Sequence, residues 1–141
     1  VIASAFSAPG NWRQSLRPGA VIGIFNTGSG RILTAFQSED VRKRMLSEHQ
    51  LVIGEDQIDL AAFSSELAQL RELGCAVEPS KTVRGTTNIS FPVLDPSGNA
   101  VAALTCPYIE RIDGHPAPQV EEVTRMFGAA AEEIGRQING A

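Results

Sequence analysis

The chain reads as an α+β domain, an antiparallel sheet covered by helices. Three observations predict it. The apolar runs 89–94 and 100–104 flank Asp95-Pro96-Ser97-Gly98. Pro presets φ there, Asp bonds to the backbone ahead of it, and Gly accepts φ > 0, so the stretch predicts a hairpin. Helix-period segments follow two early strand-like runs and return at the C-terminus, with no repeated strand–helix–strand unit. That order argues against a parallel sheet. Finally, 141 residues with 43% hydrophobic content suffice for one buried core, and no linker or repeat marks a boundary.

The elements follow in order. Residues 1–8 read as a strand stopped by Pro9-Gly10, and 12–16 as a short second strand. Arg17-Pro18-Gly19 is a turn, and 20–25 is apolar and rich in β formers. A helix then begins after Asn26 or Thr27, either a suitable N-cap, with Ile32, Leu33 and Phe36 on its apolar face. Residues 38–47 form a charged second helix. Residues 58–73 form a third, with Leu60, Phe63, Leu67 and Leu70 at helical spacing and Gly74 as its stop. A short strand over 75–78 and a loop over 79–84 lead into the hairpin. Pro92 donates no ladder hydrogen bond, so its strand must be at an edge there or aim that nitrogen away from its neighbour. After an irregular loop over 108–118, a long helix spans 118–138 with Val120, Val123, Phe127, Ala130, Ile134 and Ile138 on one side.

Charge and composition exclude several classes. A net charge of −4 offers no basic face for phosphate backbones, so this segment is not expected to touch nucleic acid itself. Cys75 and Cys106 lack CxxC spacing and a nearby His, so no metal site is expected, and a reduced cytoplasmic protein is the default. No cofactor is expected, and no apolar run has the length of a membrane span. The chain opens on Val1 inside an apolar run, as a piece of a longer protein would.

Two regions carry binding chemistry. Thr27-Gly28-Ser29-Gly30-Arg31 places glycines at a helix start. Free amides and the helix dipole there suit a small anion such as a carboxylate, and Arg31 adds charge if it points inward. The spacing is not that of a phosphate-binding loop, and the alternative is a close-packed turn. The second region is the polar set Glu78, Asn88, Ser90, Thr105 and Cys106 on the later strands. Buried polar groups need partners, which a ligand, water or neighbouring backbone can supply. Ile89 lies among them, and Trp12 offers a stacking surface if it is not core. Cys106 and His115 show no orienting third group, so no catalytic pair is expected. The carboxylates are scattered over helix faces and read as solvated, without an acid–base dyad.

The stretch from Gly19 through Gly23-Ile24-Phe25-Asn26-Thr27-Gly28-Ser29-Gly30-Arg31 to Phe36 resembles the G-x-x-x-P-x-H-x-T-A-x-G-K-x-x-L-A segment of IclR-type transcriptional regulators. Gly85-Thr86-Thr87-Asn88-Ile89-Ser90-Phe91-Pro92-Val93 and Ala102-Ala103-Leu104-Thr105 resemble two later motifs of that family, in the same order. Gly23, Phe25, Gly28 and Arg31 depart from its proline, histidine, alanine and lysine. The resemblance implies a GAF- or profilin-like effector-binding domain, an antiparallel sheet with helices on both faces, here cut short at its N-terminus. It implies a small organic acid as effector, contacted at Gly28, Ser29, Glu78, Asn88 and Thr105; Trp12, Thr27, Ile89, Ser90 and Cys106 are this reading's further candidates for the lining. A carboxylate at Glu78 would repel such an anion unless protonated or bridged. It also implies a homodimer or tetramer that meets DNA only through an upstream winged helix-turn-helix absent from this chain. The alternatives are a thiol-dependent enzyme of the methionine sulfoxide reductase type on the same scaffold and a pure oligomerisation module.

Overall fold

The computed structural model describes residues 3, 16–114 and 116–140. In chain order the elements are α1 (Gly28–Ala35), α2 (Glu39–Glu48), α3 (Leu60–Leu73), β1 (Ala76–Pro79), β2 (Thr87–Leu94), β3 (Ala100–Tyr108) and α4 (Val120–Ile138). The strands expected over 1–8 and 12–16 fall outside the described residues, apart from Ala3 and Leu16. Residues 20–25, rich in β formers, pair with no strand among the described residues and bend towards α1 instead.

The helix ends follow local chemistry. Thr27 is extended and caps α1, its Oγ1 accepting the Gly30 N–H at 3.0 Å. Ser38 precedes α2, whose first turn carries Glu39 and Asp40 at the positive end of the helix dipole. Asp59 Oδ1 accepts the Ala61 N–H at 2.8 Å to start α3, which stops at Gly74 with φ 78°.

The strands form one antiparallel sheet in the order β1-β2-β3. Asp95 closes the hairpin by accepting the Ser97 and Asn99 amides on Oδ1, at 2.8 and 2.9 Å. β1 pairs with β2 only from Thr87 to Ser90, so at Pro92 β2 has β3 alone as a neighbour among the described residues. Among the described strands Pro92 therefore sits on an edge stretch, where its missing N–H breaks no ladder on that side.

Helices cover both faces. On one, Ile32, Ala35 and Phe36 of α1 meet Phe63, Leu67 and Leu70 of α3 with Ala76 and Ala100 of the sheet. The Phe36 carbonyl accepts the Ala100 N–H at 2.9 Å, and Arg71 Nη1 donates to the Ala35 carbonyl at 3.0 Å. Leu60, expected on the apolar face of α3, is exposed in its first turn.

The other face carries α4, turned from the expected orientation. Val123, Ala131 and Gly135 are buried, whereas Ala130 and Ile138 are exposed. Small residues set this. A methyl at Gly128 would lie 3.1 Å from the Phe91 ring, and one at Gly135 would lie 3.2 Å from the Leu94 carbonyl oxygen. Close approach along a small-residue stripe outweighs the pull of the larger side chains.

Candidate functional site

The residue alternation of the sheet decides what can meet. Register pairs Glu78 with Asn88, and Ser90 with Thr105. Facing partners share a side, and residues two apart share it too. Glu78, Asn88, Ser90 and Thr105 therefore lie on one face, the face under α1. A methyl built at Gly28 would stand 2.6 Å from Ser90 Oγ and 3.6 Å from Asn88 Cβ.

The first turn of α1 thus rests on a polar floor. Thr105 Oγ1 donates to Ser90 Oγ at 2.9 Å, which leaves the Ser90 hydroxyl hydrogen available. Ser90 is fully buried, while Asn88 and Thr105 are half-buried. The Gly30 amide goes to Thr27 Oγ1 and the Arg31 amide to the Thr27 carbonyl. Gly28 and Ser29 supply the amides that the helix itself cannot satisfy. Thr27 also donates to the Gly23 carbonyl at 2.6 Å, so its only hydroxyl hydrogen is committed to the turn.

Ile89 and Cys106 pair with each other on the opposite face, towards α4. They cannot join Ser90 and Thr105, because neighbouring strand residues point to opposite sides. The expectation that they line the same pocket is corrected accordingly. Burial pushes the Cys75 and Cys106 thiols up, away from the reactive thiolate that a thiol enzyme needs. Trp12 and His115 lie outside the described residues.

Arg31 does point inward. It is 2% exposed and sits between two carboxylates, Glu66 of α3 and Glu78 of β1, pairing with both. Its Nη1 meets Glu66 and its Nη2 meets Glu78, while Nε has no acceptor among the described residues. Lys81 Nζ stands 3.8 Å from Glu66. Two cations thus face two anions, so the cluster as a whole is neutral and Arg31 partly offsets the Glu78 charge.

Not every carboxylate is solvated, contrary to the reading of their scatter along the chain. Glu55 is wholly buried in the α2–α3 connection and meets His49. His49 and Val52 are near it in the chain, but the Phe25 amide that completes its burial comes from a distant segment.

The arrangement offers amide donors and hydroxyls that both donate and accept, with no nucleophile beside a base. It suits binding of a small polar molecule.

Over residues 2–136 the chain matches the family described as bacterial transcriptional regulator IclR C-terminal. The glycerol operon regulatory protein of Streptomyces griseus is 30% identical over 125 residues, 87% of this chain and 49% of its own. The chain thus spans about half the length of that relative. An IclR transcriptional regulator from Alicyclobacillus acidocaldarius has a TM-score of 0.71 at 21% identity, covering 99% of this chain and 54% of its own. An IclR homologue from Microbacterium hydrocarbonoxydans, solved in complex with 4-hydroxybenzoate, has a TM-score of 0.66 at 21% identity, covering 92% of this chain and 52% of its own. At these identities the two structures establish the fold alone. The family match over residues 2–136 establishes that the chain belongs to the IclR family, as the C-terminal domain of a bacterial transcriptional regulator.

Proposed function

We propose that this domain senses a small organic acid that binds beside the first turn of α1, against the half-buried Asn88 and Thr105 on the polar face of the sheet. One observation carries the reading. The Gly28–Ser29 helix start and the side chains of Asn88, Ser90 and Thr105 share one face of the sheet. The helix dipole favours the carboxylate end of such a ligand. Arg31 offsets Glu78, which would otherwise repel it. The 4-hydroxybenzoate complex of the Microbacterium homologue supports the same ligand class.

Effector binding would act on DNA through a domain outside this chain, by favouring one arrangement of a homodimer or tetramer in the cytoplasm. A ligand shifts such an equilibrium only through different affinities for its two states. No helix among the described residues is long and apolar enough to cross a membrane.

Thermal unfolding with acetate, pyruvate, succinate and 4-hydroxybenzoate tests this, with glycerol as a neutral comparator. An acid at a hundred times its Kd should stabilise the chain by about 2.7 kcal/mol. Asn88→Leu with Thr105→Val should abolish that gain. No stabilisation by any acid sinks the reading, and a response to glycerol alone replaces the acid with a polyol.

A further inference from the structure

Glu55 is the most completely buried carboxylate among the described ion pairs, with a side chain that exposes no surface. Three donors converge on it. Oε1 accepts the Phe25 N–H at 2.6 Å, and Oε2 accepts the Val52 N–H at 3.1 Å. Oε2 also lies 2.7 Å from His49 Nε2. Among the described residues His49 is the titratable side chain that meets the carboxylate, while Phe25 and Val52 present backbone amides.

These contacts join two segments far apart in sequence. One is the α2–α3 connection, which supplies His49, Val52, Gly54 and Glu55. The other is the turn that leads into α1. Asn26 Nδ2 donates to the Gly54 carbonyl at 3.1 Å. The Phe25 ring meets His49 edge-on, with centroids 5.1 Å apart. A methyl on Gly23 would lie 2.6 Å from the Glu55 carboxyl carbon, so backbone and carboxylate are in direct contact there. The chain of contacts continues to the helix start. Thr27 Oγ1 donates to the Gly23 carbonyl at 2.6 Å and caps α1 through Gly30.

We infer that Glu55, oriented by His49, is the positioning residue that fixes the 23–27 turn and hence the first-turn amides of α1 against Ser90. The part of this inference that concerns a ligand rests on the function proposed above. A carboxylate suits the task better than an amide. It accepts from every donor around it, whereas the NH2 of a Gln would face either the Phe25 or the Val52 N–H. The tolerance is small, since less than a methyl separates Gly28 from Ser90 Oγ. Binding sites need their groups held within about 0.5 Å, and groups outside the site supply that restraint.

Amide hydrogen exchange on this chain tests the inference without any ligand. Glu55→Gln should speed exchange of the 24–31 amides at least tenfold, with α4 amides unchanged. His49→Ala should speed the same amides several-fold, and His49→Gln, which keeps a donor, should restore them. Unchanged exchange over 24–31, or a rise shared equally by α4, overturns the inference. If Glu55→Gln does not fold, the His49 pair decides by the same criterion. With 4-hydroxybenzoate as the probe, both Glu55→Gln and His49→Ala should weaken binding at least tenfold, with recovery in His49→Gln. Wild-type affinity in the loosened variants would overturn the ligand part. A wild type that binds no acid overturns the proposed function instead, and the exchange result still decides the positioning role.

Discussion

Gly28 and Ser90 occupy complementary space: a methyl on Gly28 would stand 2.6 Å from Ser90 Oγ but 3.5 Å from Ser90 Cβ. The first distance is a clash and the second an ordinary contact. The hydroxyl of a fully buried serine therefore fills the volume that a side chain at Gly28 would need. Gly28→Ala should destabilise the domain by about 1–3 kcal/mol, as overpacking does. In a Ser90→Ala background the same change should cost under about 1 kcal/mol, although Thr105 loses its acceptor. Urea unfolding of the four proteins gives the coupling, expected at roughly 1–2 kcal/mol. Additive costs would contradict this packing relationship.

Arg31 and its two carboxylates differ in their access to water. The guanidinium is 2% exposed, while the Glu66 and Glu78 side chains are 35% and 24% exposed. Removing both carboxylates strands a buried cation, which typically costs about 3–5 kcal/mol. Arg31→Met leaves two carboxylates that water reaches, and its apolar chain fills part of the vacated volume. Glu66→Gln with Glu78→Gln should therefore lower the urea-derived stability more than Arg31→Met does. The reverse order would mean that the cation is not the buried member of the cluster.

Acid should weaken the Glu55 clasp. Burial alone would push its carboxyl up, but the Phe25 and Val52 amides and His49 outweigh that and hold it below the ordinary 4.5. The folded value thus lies under the unfolded one. The stabilisation is complete above the unfolded value and is lost as pH falls through the folded one. The stability gap between wild type and Glu55→Gln should narrow as the pH falls below about 4. Urea midpoints on either side of that pH measure it, and a gap that widens with acid would reverse the assignment.

The hairpin loop depends on one side chain. Asp95 Oδ1 accepts two amides, and the Asp95 backbone bonds to Asn99 and Gly98 besides. Asp95→Ala removes only the side-chain pair and should cost about 1–2 kcal/mol. Register should persist, because the alternation of β2 and β3 against two covered faces fixes it independently. Nuclear Overhauser contacts between Ser90 and Thr105 check register, and their loss would give the loop a larger role.

Local chemistry made much of the fold legible before any coordinates. The cap at Thr27, the stop at Gly74 and the Asp95 turn each depend on a few adjacent residues, and the structure has all three. Among the described strands Pro92 lies on an edge, one of the two placements its missing N–H allows. Asn88, Ser90 and Thr105 do share the sheet face under α1, although strand alternation should have separated them from Ile89 and Cys106.

The sequence by itself determined the helices and the hairpin, the cap at Thr27, the stop at Gly74 and which residue types could bind a polar ligand, because those depend on neighbours along the chain. Tertiary structure alone decided that Arg31 lies between Glu66 and Glu78, that Glu55 grips Phe25, and that α4 turns its small residues to the sheet. Each joins segments distant in sequence. The gain from burying a charge or closing a gap exists only once packing has excluded water and fixed the partners' distance.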